Sequence, residues 1–292
     1  MNLPTSILHA PYTYKPPEGY YDLPCHWVFN AEGLGIPSGG IAAIQLLNQS
    51  IPISRGFGDF YLRRIVGMAG VLWFRGGQFQ LKNGLGLDYM SSAPMYVVTN
   101  DDIAFAIEEI YPETGAIRFD LYNCHKQSAA AQIVFMGVGR HKGSNPLEAQ
   151  FGNQPFEPVT QIYTQTAVIP TATTTGVPVS VIQKVINYHF DLLKIELLYT
   201  NPGTLNSVCA MMLFDGARQQ ISNLPINDAY WNGIANQPPT SLANPYGNGA
   251  VVPPLFYPQN SNIRLDLTPL AIGALGNVTI TVNFVGRNRI PL

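Results

Sequence analysis

The sequence carries few charges. Charged residues make up 12% of 292 residues and the net charge is −2, without a run of basic or acidic side chains. Globular domains typically carry about 25% charged residues, and proteins that bind nucleic acid present clustered Lys and Arg. We therefore expect no nucleic acid as the main ligand. The surface must then be covered by Ser, Thr, Asn, Gln and Tyr, a composition suited to contacts between subunits.

Cysteine is scarce, and its spacing excludes two further classes of protein. Cys25, Cys124 and Cys209 are odd in number, far apart, and without a Cys-x-x-Cys pair. A disulfide framework needs an even set, and a zinc site needs closely spaced ligands. We expect three free thiols.

Histidine is equally dispersed. The five histidines show no spacing that would bring two to one metal ion, and they are His9, His26, His125, His141 and His189. In Cys25-His26 and Cys124-His125 the two residues are adjacent, so on a strand they would point to opposite faces and could not act as nucleophile and base. The sequence predicts no metal site and no Cys/His enzyme.

Targeting and membrane-spanning segments are not indicated. The first residues, Met1–Ser6, lack the charged region and apolar core of a secretory signal, and no apolar run reaches the roughly 18 residues needed to span a bilayer. We expect a soluble chain without a membrane span.

One segment occurs twice. Tyr111–Leu121 recurs without a gap as Tyr257–Leu267, about half a chain length later. The residues shared by the two copies are Tyr111, Pro112, Ile117, Arg118, Asp120 and Leu121 in the first, and Tyr257, Pro258, Ile263, Arg264, Asp266 and Leu267 in the second. In each copy the apolar residues alternate with the Arg and the Asp, as in a half-buried β-strand. The motif predicts a strand in each of two equivalent domains.

Three weaker matches support the repeat, because they occur in the same order in both halves of the chain. They pair Leu62–Ile65 with Leu192–Ile195, Phe79–Gly84 with Met211–Gly216, and Ile133–Arg140 with Thr281–Arg287. The separation of the copies grows across Asn232–Gly249, an Asn/Pro/Gly-rich stretch absent from the first copy, which predicts a loop insertion.

The fold class expected is all-β, with two tandem antiparallel β-sandwiches of the jelly-roll type. Short apolar runs are broken by Gly, Pro, Asn and Asp, and the last strand alternates Val278, Ile280, Val282 and Phe284 with polar residues. The long Pro/Gly-rich connections favour a jelly roll over a meander barrel, and the Cys…Trp…Cys spacing of an immunoglobulin domain is missing. Ile41–Asn48 and Asp101–Glu109 are short helix candidates that strands would also explain.

The domain boundaries follow from composition. Residues 1–32 are rich in Pro, Tyr and Trp and are expected to form an extended N-terminal arm. Residues 33–146 form the first jelly-roll-like domain, 147–165 a Pro-containing linker, and 166–292 the second jelly-roll-like domain.

Candidates for chemistry are weak. Asp101 with Glu108 or Glu109 would suit the acid and base of glycoside hydrolysis, but the second copy has no matching acidic group. The glycine-rich stretches lack Gly-x-Gly-x-x-Gly spacing and are interpreted as turns. We expect no catalytic residue, no cofactor and no metal. Arg118/Asp120 and Arg264/Asp266 are expected to brace a sheet face or meet a neighbouring subunit.

Aromatic residues are the contact candidates. Tyr230, Trp231 and Tyr246 have side chains able to stack on sugar rings, although packing in a core or interface explains them as well.

The order of three motifs resembles that in bacteriophage virion proteins. Phe-x-x-Arg-Arg-Ile at Phe60–Ile65 comes first, then Tyr-Pro-x4-Ile-Arg-x-Asp-Leu, then a strand closing on Phe-x-Gly-x-x-Arg. The chain is similar to phage structural proteins of jelly-roll type, including double jelly-roll capsid subunits and capsid decoration proteins. The resemblance implies a virion protein made in the host cytoplasm, with copies of itself and other virion proteins as partners, and without an active site or cofactor.

The expected function is therefore structural: assembly into or onto a capsid through subunit contacts. The alternative is a carbohydrate- or receptor-binding jelly-roll module of a spike or tail, with a surface glycan as its partner. A hydrolase ranks third.

Overall fold

A computed structural model of the chain describes residues 16–30, 44–69, 77–82, 95–96, 103–123, 131–149, 152, 155–169, 178–184, 187–200, 209–228, 250–269 and 277–292. These residues form β-strands and one short helix. The strands of the first domain are β1 (Tyr20–Asn30), β2 (Ile44–Pro52), β3 (Asp59–Ala69), β4 (Gly77–Lys82), β5 (Met95–Tyr96), β6 (Ile103–Tyr111), β7 (Ala116–Asn123) and β8 (Ala131–Lys142).

The second domain repeats this series after helix α1 (Pro146–Ala149). Its strands are β9 (Phe156–Ile169), β10 (Val179–Lys184), β11 (His189–Thr200), β12 (Cys209–Phe214), β13 (Ile226–Asn227), β14 (Ala250–Tyr257), β15 (Asn262–Pro269) and β16 (Val278–Pro291).

Both domains have the same strand order. In the first, one four-stranded sheet has the order β1-β8-β3-β6 and the other β2-β7-β4-β5. In the second, the sheets are β9-β16-β11-β14 and β10-β15-β12-β13. Each domain thus pairs its first, eighth, third and sixth strands in one sheet and its second, seventh, fourth and fifth in the other. This is the order of an eight-stranded jelly roll, so the chain is a tandem double jelly roll.

The core of the first domain lies between its two sheets. Trp27, Phe60 and Phe135 come from the β1-β8-β3-β6 sheet, Ile117 and Phe119 from the other, and all belong to one buried cluster. The rings of Phe119 and Phe135 are 5.2 Å apart. Aromatic contacts across the sandwich contribute on the order of 1 kcal/mol each beyond the area that they bury.

The core of the second domain follows the alternation in its last strand. Along β16, Val278, Ile280, Val282 and Phe284 are fully buried, and the residues between them are half-buried. Ile263, Leu265 and Leu267 of β15 are buried in the same way. The predicted inward and outward faces of these strands are therefore confirmed.

The two domains share a bulge and the glycine opposite it. The register of β3 against β8 shifts between Leu62 and Arg64, and that of β11 against β16 shifts between Leu192 and Lys194. Leu62 pairs with Gly137, and Leu192 pairs with Gly286. A Cβ at either glycine would overlap a backbone oxygen and the Phe60 or Phe190 ring, so both positions require glycine.

Two predicted boundaries were wrong. The arm was placed at 1–32, but Tyr20–Asn30 form strand β1, and the linker was placed at 147–165, but Phe156 begins strand β9. Both strands contain proline, which suggested irregular chain. They lie at sheet edges, where a missing N–H costs no ladder bond. Residues 1–15 lie outside the described residues.

The helix candidates were also wrong where the structure describes them. Residues 44–48 belong to β2 and residues 103–109 to β6. Pairing of β2 with β7 and of β6 with β3 overrides the local helix propensity.

The chain divides into two compact units close to the predicted junction at residue 146. One unit is Cys25–His141, and the other is Lys142–Leu292 together with the described residues before Cys25. In the latter unit Gly143 N donates to Gly19 O at 2.8 Å.

Candidate functional site

The repeated Tyr-Pro motif ties the two sheets of each domain together. Tyr111 ends β6 and donates its hydroxyl to the Lys82 carbonyl at 2.8 Å, and Tyr257 ends β14 and donates to the Phe214 carbonyl at 2.5 Å. Both acceptors end the fourth strand of their domain, in the opposite sheet. Both phenols are fully buried, and burial raises the pKa of Tyr257 well above its ordinary value. The motif therefore has a structural function in each domain.

The turn after each tyrosine is also the same. Gly115 N donates to Pro112 O at 2.8 Å, and Ser261 N donates to Pro258 O at 3.0 Å. The third residue of each turn is left-handed, with φ of 66° at Thr114 and 64° at Asn260. Asparagine tolerates this conformation, whereas β-branched threonine is strained in it.

The residue after each proline fastens the turn to the start of the third strand. In the first domain Glu113 N donates to Asp59 Oδ1 at 2.9 Å, and Glu113 Oε1 accepts from Gly56 N at 2.6 Å. In the second domain Gln259 N donates to His189 Nδ1 at 3.1 Å. The Gln259 amide also donates to the Asn187 carbonyl. The two copies thus attach this turn through different groups. The first uses the carboxylates of Asp59 and Glu113 as acceptors, and the second uses the His189 imidazole as an acceptor and the Gln259 side-chain amide as a donor.

The Arg/Asp positions of the motif behave differently in the two copies. Arg264 and Asp266 form a two-pronged pair, with Nε–Oδ1 and Nη2–Oδ2 distances of 3.0 and 2.7 Å. In the first copy Asp120 instead accepts from Asn48 N at 2.6 Å, at the bulge of β2, and lies 3.9 Å from Lys82 Nζ. Arg264 and Asp266 thus pair within the single strand β15, and the sheet-bracing role expected of the Arg/Asp positions stays a prediction.

A buried ion cluster distinguishes the second domain. Asp191 is 1% exposed and accepts from Arg287 Nε at 3.0 Å and Arg289 Nη2 at 2.6 Å. Arg289 also pairs with Glu148 of α1 at 2.7 Å and lies over the Phe256 ring at 4.6 Å. The cluster fixes α1 to the outer side of the β9-β16-β11-β14 sheet.

The first domain has a different contact at the same place. Arg140 and Tyr61 occupy the sheet positions that Arg289 and Asp191 occupy in the second domain. There the Arg140 guanidinium lies 3.9 Å from the centre of the Tyr61 ring. An arginine on the last strand is retained, and its partner changes from a carboxylate to an aromatic ring.

The cysteines and histidines do not form a reactive site in the described residues. Cys25 packs in the core, and burial raises its pKa. His26 is next to it on the other face of β1, and burial lowers its pKa to about 4. His189 stacks on the Phe256 ring, and burial followed by Arg289 lowers its pKa. Among the described residues no cluster of His, Cys, Asp or Glu is arranged to hold a metal ion.

Several sequence candidates cannot be placed. Tyr230, Trp231 and Tyr246 lie outside the described residues, as do Asp101 and the insertion Asn232–Gly249. Glu108 belongs to β6, but its side chain is not described. In the described part of the chain, no helix has the length and apolar character to cross a membrane.

The Asp191 cluster was missed by sequence reasoning. A signal was present: Asp191 interrupts an apolar run in β11, and Arg287 and Arg289 stand two apart in the final strand, with side chains on one face. The residues that form the cluster are almost a hundred positions apart, so only the register of β11 against β16 brings them together.

No family model and no curated protein sequence matches the chain. Solved structures with some likeness include one from an archaeal virus, described as showing a triple jelly-roll fold and turret assembly. The two are 13% identical, with a TM-score of 0.23 over 94% of this chain, which spans 60% of that protein.

Two further structures match over nearly their whole length. VP54 of PBCV-1, fitted into a reconstruction of the virophage Sputnik, is 11% identical, with a TM-score of 0.23, and 95% of this chain and 96% of that one are covered. The major capsid protein P2 of bacteriophage PM2 is 9% identical, with a TM-score of 0.20, and 92% and 97% are covered. With scores this low, the assignment of the fold rests on the strand order alone.

Proposed function

We propose that this chain is a non-enzymatic structural protein of a virus, most specifically of a bacteriophage, that assembles into or onto the capsid. Its partners are copies of itself and other virion proteins. The observation that carries the proposal is the tandem pair of eight-stranded jelly rolls with one strand order. Jelly rolls are a common architecture of viral capsid domains, although lectins and cupins share it.

The conserved features of the two copies support a building role. The tyrosine bonds, the turns and the glycines opposite the bulges all connect parts of the same domain. Each contact stabilises a sandwich, and the outward positions are where the copies differ. A protein that works through contact area has this distribution, because its framework must be rigid while its surfaces meet different neighbours.

The low charge supports assembly as well. With 12% charged residues, the chain has few charged side chains to place on its surface. Burying such a surface against a neighbour avoids the desolvation of unpaired ions.

Assembly of the purified full chain tests the proposal. We expect concentration-dependent association in sedimentation velocity, ordered arrays or shells in electron micrographs, and copurification with particles. A compact monomer at all concentrations that never copurifies with particles would contradict it. Glycan binding by such a monomer, lost on Tyr230→Ala and Trp231→Ala, would favour the receptor-binding alternative instead.

A further inference from the structure

An imidazole holds the Tyr-Pro turn of the second domain. His189, the first residue of β11, accepts a hydrogen bond from Gln259 N through Nδ1 at 3.1 Å. A ring nitrogen that accepts from an N–H group cannot itself carry a proton, so this contact requires the neutral imidazole. The turn is therefore attached to the third strand of its domain by a group of the kind that titrates near neutral pH.

The first domain has a carboxylate at the same position. Asp59 is the first residue of β3 and stands opposite Arg140 of β8, as His189 stands opposite Arg289 of β16. Asp59 Oδ1 accepts from Glu113 N at 2.9 Å. A carboxyl group can accept a hydrogen bond whether it is ionised or protonated, whereas an imidazolium has no acceptor. The two copies therefore differ in whether a proton on this side chain breaks the contact.

The surroundings of His189 oppose its protonation. Its ring is stacked on Phe256, with 5.4 Å between the ring centres. Burial and then the positive charge of Arg289 lower the pKa of His189, while Asp191 on the same strand acts in the opposite direction. The folded second domain thus favours the neutral ring that the turn needs as its acceptor.

The charged groups around the ring already form pairs. Asp191 accepts from Arg287 Nε at 3.0 Å and from Arg289 Nη2 at 2.6 Å, and Glu148 of α1 pairs with Arg289 at 2.7 Å. Two arginines and two carboxylates balance in charge. A proton on His189 therefore gives this cluster a net positive charge and also removes the acceptor of the turn.

We propose that acidification releases the turn at residues 258–261 from His189, while the equivalent turn of the first domain stays attached to Asp59. Since the folded state lowers the pKa of His189, the stabilisation is complete at neutral pH and is lost as pH falls below about 6.5. Two other contacts remain, from the Gln259 side-chain amide to the Asn187 carbonyl and from Ser261 N to the Pro258 carbonyl within the turn. The release should therefore loosen the turn without unfolding the domain. This inference does not rest on the proposed function.

Hydrogen exchange of the Gln259 amide in the full chain tests the release. NMR measures its exchange rate, which is expressed as protection relative to an unstructured peptide at the same pH. Between about pH 7.5 and about pH 5 we expect this protection to fall about 5-fold or more, as for the loss of one hydrogen bond. The Glu113 amide is the matched control in the first domain and should keep its protection. Equal protection of Gln259 at both pH values would overturn the inference.

Reciprocal substitutions assign the effect to the acceptor. His189→Asn supplies an uncharged side-chain acceptor that does not titrate, so the Gln259 amide should be equally protected at both pH values. Asp59→His should transfer the pH dependence to the Glu113 amide. A pH-dependent Gln259 amide in His189→Asn would mean that another group titrates, and it would overturn the inference. If Asp59→His does not fold, the wild type and His189→Asn decide the matter between them.

Discussion

The two jelly rolls have the same framework and different outer surfaces. In the first, the outward residues of the central strand β8 are buried, whereas in the second those of β16 from Thr279 to Val285 are only half-buried. Both nevertheless retain the tyrosine bond, the turn and the glycine opposite the bulge. The features that hold a sandwich together are fixed by geometry, while the outer faces are adapted separately in each domain.

The comparison is sharpest at the arginine of the last strand. Arg140 lies over the Tyr61 ring in the first domain, and Arg289 forms an ion pair with the buried Asp191 in the second. A cation over an aromatic ring contributes about 0.5–2 kcal/mol, whereas removing one member of a buried ion pair costs about 3–5 kcal/mol. The second domain should thus depend much more strongly on this position.

Asp191→Ala should produce the largest effect. It leaves Arg287 and Arg289 without their shared carboxylate and loosens the Glu148 contact of α1. We expect a loss of about 3–5 kcal/mol in the free energy of unfolding of the second domain, measured by denaturant unfolding with hydrogen exchange to assign the domain. Tyr61→Ala, the control in the first domain, should cost less than half as much. Equal losses would show that the two contacts are equivalent.

The second-largest effect should be a pH dependence of stability that differs between the two domains. His26 is buried in β1, and burial lowers its pKa from 6.5 to about 4. The folded state therefore disfavours the protonated imidazole, so stability is complete at neutral pH and is lost as pH falls from about 6.5 to about 4. We expect the first domain to lose roughly 2–4 kcal/mol of stability over this pH range.

Hydrogen exchange of β1 and β8 across this pH range measures the effect. His26→Gln should remove most of the pH dependence in the first domain. His189→Gln serves as the comparison in the second domain, where partial burial and Arg289 also lower the histidine pKa. Unchanged exchange of β1 and β8 in the wild type between pH 6.5 and 4 would refute the prediction.

The hydrogen bonds donated by Tyr111 and Tyr257 should contribute equally to the stability of their domains. Tyr111→Phe and Tyr257→Phe each remove one hydroxyl and leave the carbonyl of Lys82 or Phe214 without that donor. We expect each to destabilise its own domain by about 1–2 kcal/mol in chemical denaturation. Tyr188→Phe is a suitable control because Tyr188 is an exposed tyrosine, and it should change stability by less than about 0.5 kcal/mol. A strong difference between Tyr111→Phe and Tyr257→Phe would mean that the copies do not share this contact energetically.

The features that the sequence predicted correctly are those that local geometry determines. The Tyr-Pro hairpin is visible as a repeat because the buried phenol, the turn and the alternating strand each restrict residue types at fixed spacing. Strands β1 and β9 were misjudged because their prolines are tolerated only by virtue of lying at a sheet edge. The Asp191 cluster depends on pairing between strands that are distant in sequence, and single-sequence patterns do not encode that register.

The smallest predicted effect lies in the turn itself. Thr114 and Asn260 both adopt φ near +65°, with values of 66° and 64°. Asparagine visits this region readily, whereas a β-branched side chain crowds the backbone there. Thr114→Asn should therefore stabilise the first domain by about 0.5–1 kcal/mol, and Asn260→Thr should destabilise the second by a similar amount. Thermal unfolding of the two variants measures both changes. If the two substitutions change stability in opposite directions, the copies differ only in how well each sequence fits a shared backbone. Changes in the same direction would contradict this.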